Sequence, residues 1–129
     1  MKAALAALFL LPGAAAAQDC GDPQTQVEMN ACAEQGWKDA DQMLNALWGQ
    51  VKARAQAMDP GLPPAERAIW RDMLESQRAW IAFRDKSCAA EASPMRGGSA
   101  GPLLVSACRA RLTRERVEGL RIFLDQSGS

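Results

Sequence analysis

The sequence predicts an all-α fold, a small antiparallel bundle of about three long helices stapled by two disulfides. Three observations carry that expectation. Apolar residues recur at steps of three and four along three long stretches. No segment alternates apolar and polar residues with the period of two that a half-buried strand needs. Four cysteines, an even number, stand at positions 20, 32, 88 and 108.

The first helix opens at Thr25, with Glu28 three residues on, the signature of a capping box. Its apolar stripe is Cys32, Trp37, Ala40, Leu44, Leu47, Trp48, Val51, Ala55 and Met58, which places the helix roughly from Gln26 to Met58. Gly36 and Gly49 each weaken it by about 1 kcal/mol relative to alanine, and Gly36 is the candidate position for a bend. The run Asp59-Pro60-Gly61-Leu62-Pro63 ends the helix in a turn. Pro64 reads as the first residue of a second helix, with Glu66 in its first turn. The second stripe is Ile69, Trp70, Met73, Leu74, Gln77, Trp80, Ile81, Arg84 and Cys88. Residues 92–101 hold Ser93, Pro94, Gly97, Gly98, Ser99 and Gly101, and form a loop. Pro102 opens the third helix, whose stripe is Leu104, Val105, Cys108, Leu112, Val117, Leu120 and Leu124. Residues 126–129 are expected to fray.

Residues 1–17 have the form of a secretory signal peptide: Lys2, an apolar run to Leu11, then small residues ending at Ala17. The expected organisation is therefore a signal peptide over residues 1–17 and a single helical domain over residues 18–129. The apolar run falls short of the roughly 20 residues of a spanning helix. Asp19 precedes Cys20 where a lipidation site needs a small residue, so no stable membrane anchor is expected in the mature chain. Export places the cysteines in an oxidising compartment, where disulfides form. Their spacings of 12, 56 and 20 lack the close ligand pair of a zinc site. Three pairings are possible. The helix layout favours Cys20–Cys32 and Cys88–Cys108 as the most local, and crossed pairings stay open because the first and third helices share one direction.

Composition excludes several kinds of chemistry. The chain has no histidine and no tyrosine, which removes the commonest general base and the His-containing catalytic triads. Formal charge is zero, with 15 basic and 15 acidic residues, so no nucleic-acid partner is expected. Residues 18–62 carry a local −4 and residues 63–129 a local +3. Glu28, Glu34, Asp39 and Asp41 share one helix, but nothing marks two of them as an acid–base pair. The chain is expected to be no enzyme and to hold no cofactor and no metal.

Asp41, Asn45, Gln77, Arg84 and Arg116 lie on or beside the apolar stripes. They read either as a polar binding cleft or as a structural network tying the helices together; charges beside a core are normally paired, which favours the network. Trp37, Trp48, Trp70 and Trp80 fall at helical spacing and read as core rather than a ligand cage. Arg109, Arg111, Arg114, Arg116 and Arg121 are interleaved with Glu115 and Glu118, the pattern of a solvated helix face.

One combination of motifs points to a family. It runs from Cys20 through Thr25-Gln26-Val27-Glu28-Met29-Asn30-Ala31-Cys32, Ala40-Asp41 and Leu44-Asn45. It continues in Gln77-Arg78-Ala79-Trp80-Ile81-Ala82-Phe83-Arg84-Asp85, Cys88, Gly97-Gly98-Ser99, Cys108, Leu112-Thr113 and Arg116. Over about residues 20–120 the chain resembles the LprI-type lysozyme inhibitors. Trp48 departs from the pattern, since the aromatic after the L-N pair is often tyrosine there. The resemblance implies a protein that blocks a lysozyme without covalent chemistry; with the signal-like start, the expectation is a periplasmic or secreted monomer. Lysozyme works with two carboxylates in a cleft. The loop residues Arg96, Gly97, Gly98 and Ser99 offer hydroxyl, cationic and backbone groups to such a cleft, and are the candidate partner-binding element; the competing readings are a plain flexible helix connection and steering of a basic lysozyme by the acidic N-terminal half. The alternative is a structural, envelope-associated protein with no lysozyme target.

Overall fold

The computed structural model describes residues 20–126, so the expected signal peptide and the tail beyond Gln126 lie outside the described residues. Three helices form: α1 (Gln26–Met58), α2 (Ile69–Glu91) and α3 (Gly101–Gln126). Short 3-10 turns lie at Asp59–Gly61, Pro64–Glu66 and Ser93–Met95, and no strand occurs among the described residues. Asn30 of α1 donates to the Ser99 carbonyl just before α3, and Arg114 of α3 donates to the Gly36 carbonyl of α1. Those contacts set α1 and α3 running in the same direction and side by side, with α2 running back alongside the pair.

α1 starts where its capping box dictates. Thr25 Oγ1 accepts from the Glu28 N–H, and the Glu28 carboxylate accepts from the N–H groups of Thr25 and Gln24 at 2.9 and 2.8 Å. The Thr25 amide, then that of Gln24, holds the Glu28 carboxyl below its usual range. α2 starts at Ile69, five residues later than the proline signal at Pro64 suggests. The physical reason is Asp59 at the end of α1. Its carboxylate accepts from the N–H groups of Ile69 and Trp70, at 2.9 and 3.2 Å, and so caps a helix ten residues away in sequence. Pro64 heads only a single 3-10 turn. Arg67 closes this connection by donating to the Leu62 carbonyl at 2.9 Å.

α1 and α3 make the most extensive interface. Ala40, Ala55 and Ala110 are buried along them, and side chains this small let two helix axes approach closely. Leu44, Val51, Val117 and Leu120 form the centre of the core, with Leu47, Trp48, Met73, Trp80, Phe123 and Leu124 packed around it. Trp48 also meets Trp70 at 5.8 Å between ring centroids. α2 contributes differently: its buried residues are Gln77, Arg84 and Cys88. Ile81, which the stripe places inward, is 41% exposed. In its place α2 turns a polar face inward.

Disulfides join Cys20 to Cys32 and Cys88 to Cys108, each with a Cα–Cα distance of 5.5 Å. Both are the local pairings, and both sit at the loop end of the bundle, opposite the α1–α2 connection. No helix among the described residues is long and apolar enough to cross a membrane.

Two outcomes are expected from the helix caps. Asp59→Ala should lower stability by about 1 kcal/mol, since it strips acceptors from two orphan N–H groups, and the urea midpoint measures this. Glu28 is stabilised as an anion, so its contribution is complete above the ordinary glutamate value of about 4.3 and is lost as pH falls through its lower folded value. The gap in thermal midpoint between Glu28→Ala and the unsubstituted chain should therefore be widest at neutral pH. It should close on acidification below about pH 4.

Candidate functional site

Between the apolar core and the disulfides, charges and rings alternate across the bundle. Arg84 of α2 is at its centre, with its side chain only 8% exposed. Its Nε donates to Asp85 Oδ1 at 3.0 Å, and its Nη1 lies 3.6 Å from Asp41 Oδ1 on α1. Its guanidinium stands 5.2 Å from the ring centroid of Trp80 and 5.9 Å from that of Trp37. Arg109 of α3 covers Trp37 at 4.7 Å, and Arg116 of α3 stands 5.9 Å from Trp80. The order Arg109, Trp37, Arg84, Trp80, Arg116 thus links all three helices through cation–π contacts. Arg109 Nε also lies 3.2 Å from Asp85 Oδ1, without the alignment of a hydrogen bond, so that contact is coulombic.

The candidate network residues fall into two groups that share one ring. Asp41 and Asn45 join to Arg84, with Asn45 Nδ2 donating to Asp41 Oδ2 at 3.2 Å. Gln77 joins to Arg116, whose Nε donates to Gln77 Oε1 at 2.9 Å and whose Nη2 donates to Ser76 Oγ at 3.2 Å. Trp80 lies between the two groups. Asn45 is exposed, on the rim of its group. Burial pulls the Arg116 guanidinium below its usual value, though never far enough to discharge it near neutrality. The arginines of α3 do not form one solvated face. Arg109 and Arg116, seven residues apart, turn inward to the tryptophans, while Arg111 pairs outside with Glu91 and Glu115, and Arg121 with Glu118. Asp85, Arg109 and Ser76 are members of these groups that the apolar stripes miss.

The loop between α2 and α3 is built on backbone contacts. Gly98 donates to the Met95 carbonyl at 3.0 Å, and Gly101 donates to the Gly98 carbonyl. Gly97 has φ +80°, a conformation that favours glycine. A Cβ on Gly98 would come within 3.2 Å of the Met95 carbonyl oxygen, so the chain is packed tightly on itself here. Cys88 and Cys108 tie the flanking helices together, and Asn30 Nδ2 binds the Ser99 carbonyl at 3.0 Å. Arg96 is exposed, and among the described residues its side chain has no ion pair or hydrogen bond. Beneath the loop lies an open groove of about 620 Å³, bordered by Arg96 and by the ends of α2 and α3.

The Arg84 geometry sets a stability expectation. Breaking a fully buried ion pair costs about 3–5 kcal/mol. Asp41 and Asp85 are about two-fifths exposed, so water screens part of their loss. Arg84→Met should therefore cost about 2 kcal/mol, read from urea denaturation. Arg84→Lys should recover only part of it, because an ammonium cannot fork between two carboxylates while lying against two rings.

Residues 16–120 match the family model described as "Lysozyme inhibitor LprI". That span holds all four cysteines, the loop and every member of the Arg84 cluster. The chain is also similar to an uncharacterized protein of Rhizobium meliloti (strain 1021), with 37% identity over 137 residues that cover 98% of this chain and 99% of that protein. No solved structure matches. With three helices, two disulfides and a family match over most of its length, this chain belongs to the LprI lysozyme-inhibitor family.

Proposed function

We propose that the chain is an exported inhibitor that occupies the substrate cleft of a lysozyme without covalent chemistry, and that the loop over residues 92–101 enters the cleft. One observation carries the choice of loop: Arg96 is an exposed cation without a partner on a segment held from both sides. A segment already ordered loses less entropy when it docks. A guanidinium suits the carboxylates on which glycoside hydrolysis depends. The signal-like residues 1–17 and the two disulfides support export to an oxidising compartment such as the periplasm. The protein acts as a monomer and has no turnover of its own.

The acidic face of α1 is a poorer candidate. Glu34 is taken by Lys38 at 2.7 Å, and Asp39 accepts from Gln35 at 2.8 Å. In a turbidity assay with equimolar protein, the unsubstituted chain should slow lysis by a purified lysozyme. Arg96→Ala should weaken that inhibition by about thirty-fold, the equivalent of about 2 kcal/mol for a charged interface contact. Ser99→Ala should weaken it less, and neither should move the thermal midpoint. Full lysozyme activity together with no heat of binding would leave the structural, envelope-associated role in place of inhibition.

A further inference from the structure

The groove under the loop is apolar where the loop is polar. Ala89 and Ala92 of the α2 end, Met95 and Gly98 of the loop, and Pro102 and Val105 of α3 line it. Met95 is 52% exposed at its edge. The groove's volume of about 620 Å³ falls in the range of sites that take a bulky group. It offers no aromatic face for a sugar to stack on, and no carboxylate lines it. Its charge comes from Arg96 at the rim, and Glu91, the nearest acid along the chain, is already held by Arg111 at 2.9 Å.

We propose that this groove receives an apolar side chain, aromatic or long aliphatic, from the rim of the lysozyme cleft, while Arg96 meets a carboxylate beside it. This rests on the inhibitor reading above and adds a second contact to it. The occupant is set by complementarity: an apolar socket with one uncompensated cation beside it fits an acidic cleft edged by apolar residues, and it disfavours a basic or purely polar surface. Interfaces draw most of their energy from such a buried anchor surrounded by polar contacts. The arrangement also gives Cys88–Cys108 a role in recognition, since the helix ends that it joins form two walls of the socket.

The test fills the socket without touching the loop. Ala89 is exposed on α2, so Ala89→Trp should fold with an unchanged thermal midpoint. Gln50→Trp, an exposed position on α1, is the control for adding an indole elsewhere. Inhibition constants are measured against egg-white lysozyme and a second, unrelated lysozyme. Ala89→Trp should lose inhibition at least ten-fold, and Gln50→Trp should match the unsubstituted chain. If Ala89→Trp inhibits normally while Arg96→Ala does not, the socket is overturned and the loop reading stands. If Ala89→Trp and Arg96→Ala both inhibit normally, or if the unsubstituted chain inhibits neither enzyme, the loop reading fails and the socket falls with it.

Discussion

The bundle depends on accommodating the guanidinium of Arg84. A cation with 8% of its side chain exposed needs compensation from every side. Asp85 supplies it from the same helix, Asp41 from α1, and two indole faces shield the remainder. This requirement brings all three helices to one point. It also explains why α2 buries Gln77 and Arg84, whereas the buried residues of α1 are all apolar and those of α3 are apolar but for Thr113. The middle of α2 is an ionic layer, so the apolar core is made chiefly by α1 and α3, where small residues permit close contact.

The two ends of the molecule are held in different ways. At the α1–α2 connection, core side chains and Trp48–Trp70 fill the space, and Asp59 joins one helix end to the next start. At the loop end the large core residues are absent, and the chain there is covalently closed. Loops of 12 and 20 residues, closed by disulfides, each remove about 3 kcal/mol of unfolded-state entropy in the chain-entropy model. Covalent closure takes the place of apolar burial where a bulky core would fill the groove. The loop and its groove are thereby kept ordered and accessible together.

Much of this was legible in the sequence. The capping box and the spacing of Ala40, Leu44, Val51 and Ala55 placed α1 residue for residue. Helix order favoured the local disulfide pairing and left the crossed ones open; the fold has the local one. The start of α2 was misplaced because proline marks any helical turn, and Pro64 heads a 3-10 turn, whereas the acceptor that fixes Ile69 comes from Asp59, ten residues earlier. Ile81 looked buried because a stripe ranks residues by apolarity, and α2 is oriented by Arg84 instead. Arg109 hid among five arginines; its separation of seven from Arg116, which puts both on one helix face, was the available signal. Asp85 was harder to find, since its neighbour Arg84 marks the inward face and a residue one step along points elsewhere. A carboxylate that reaches sideways to two guanidinium groups follows no periodicity.

The spatial arrangement also changes the meaning of the charge asymmetry. In sequence, residues 18–62 are acidic and residues 63–129 basic. In the fold, α1 lies along α3, so acidic and basic halves are interleaved rather than set at opposite poles. Arg114 reaches the backbone of α1, and the acids of α1 are largely engaged by their own helix or by Arg84. A field summed over such a surface is weak beyond a Debye length of roughly 8–10 Å. With the charges of α1 and α3 interleaved, no single-sign face stands out among the described residues, and the distinctive feature is local. The place where a cation, ordered backbone and an apolar hollow meet is the stapled loop end.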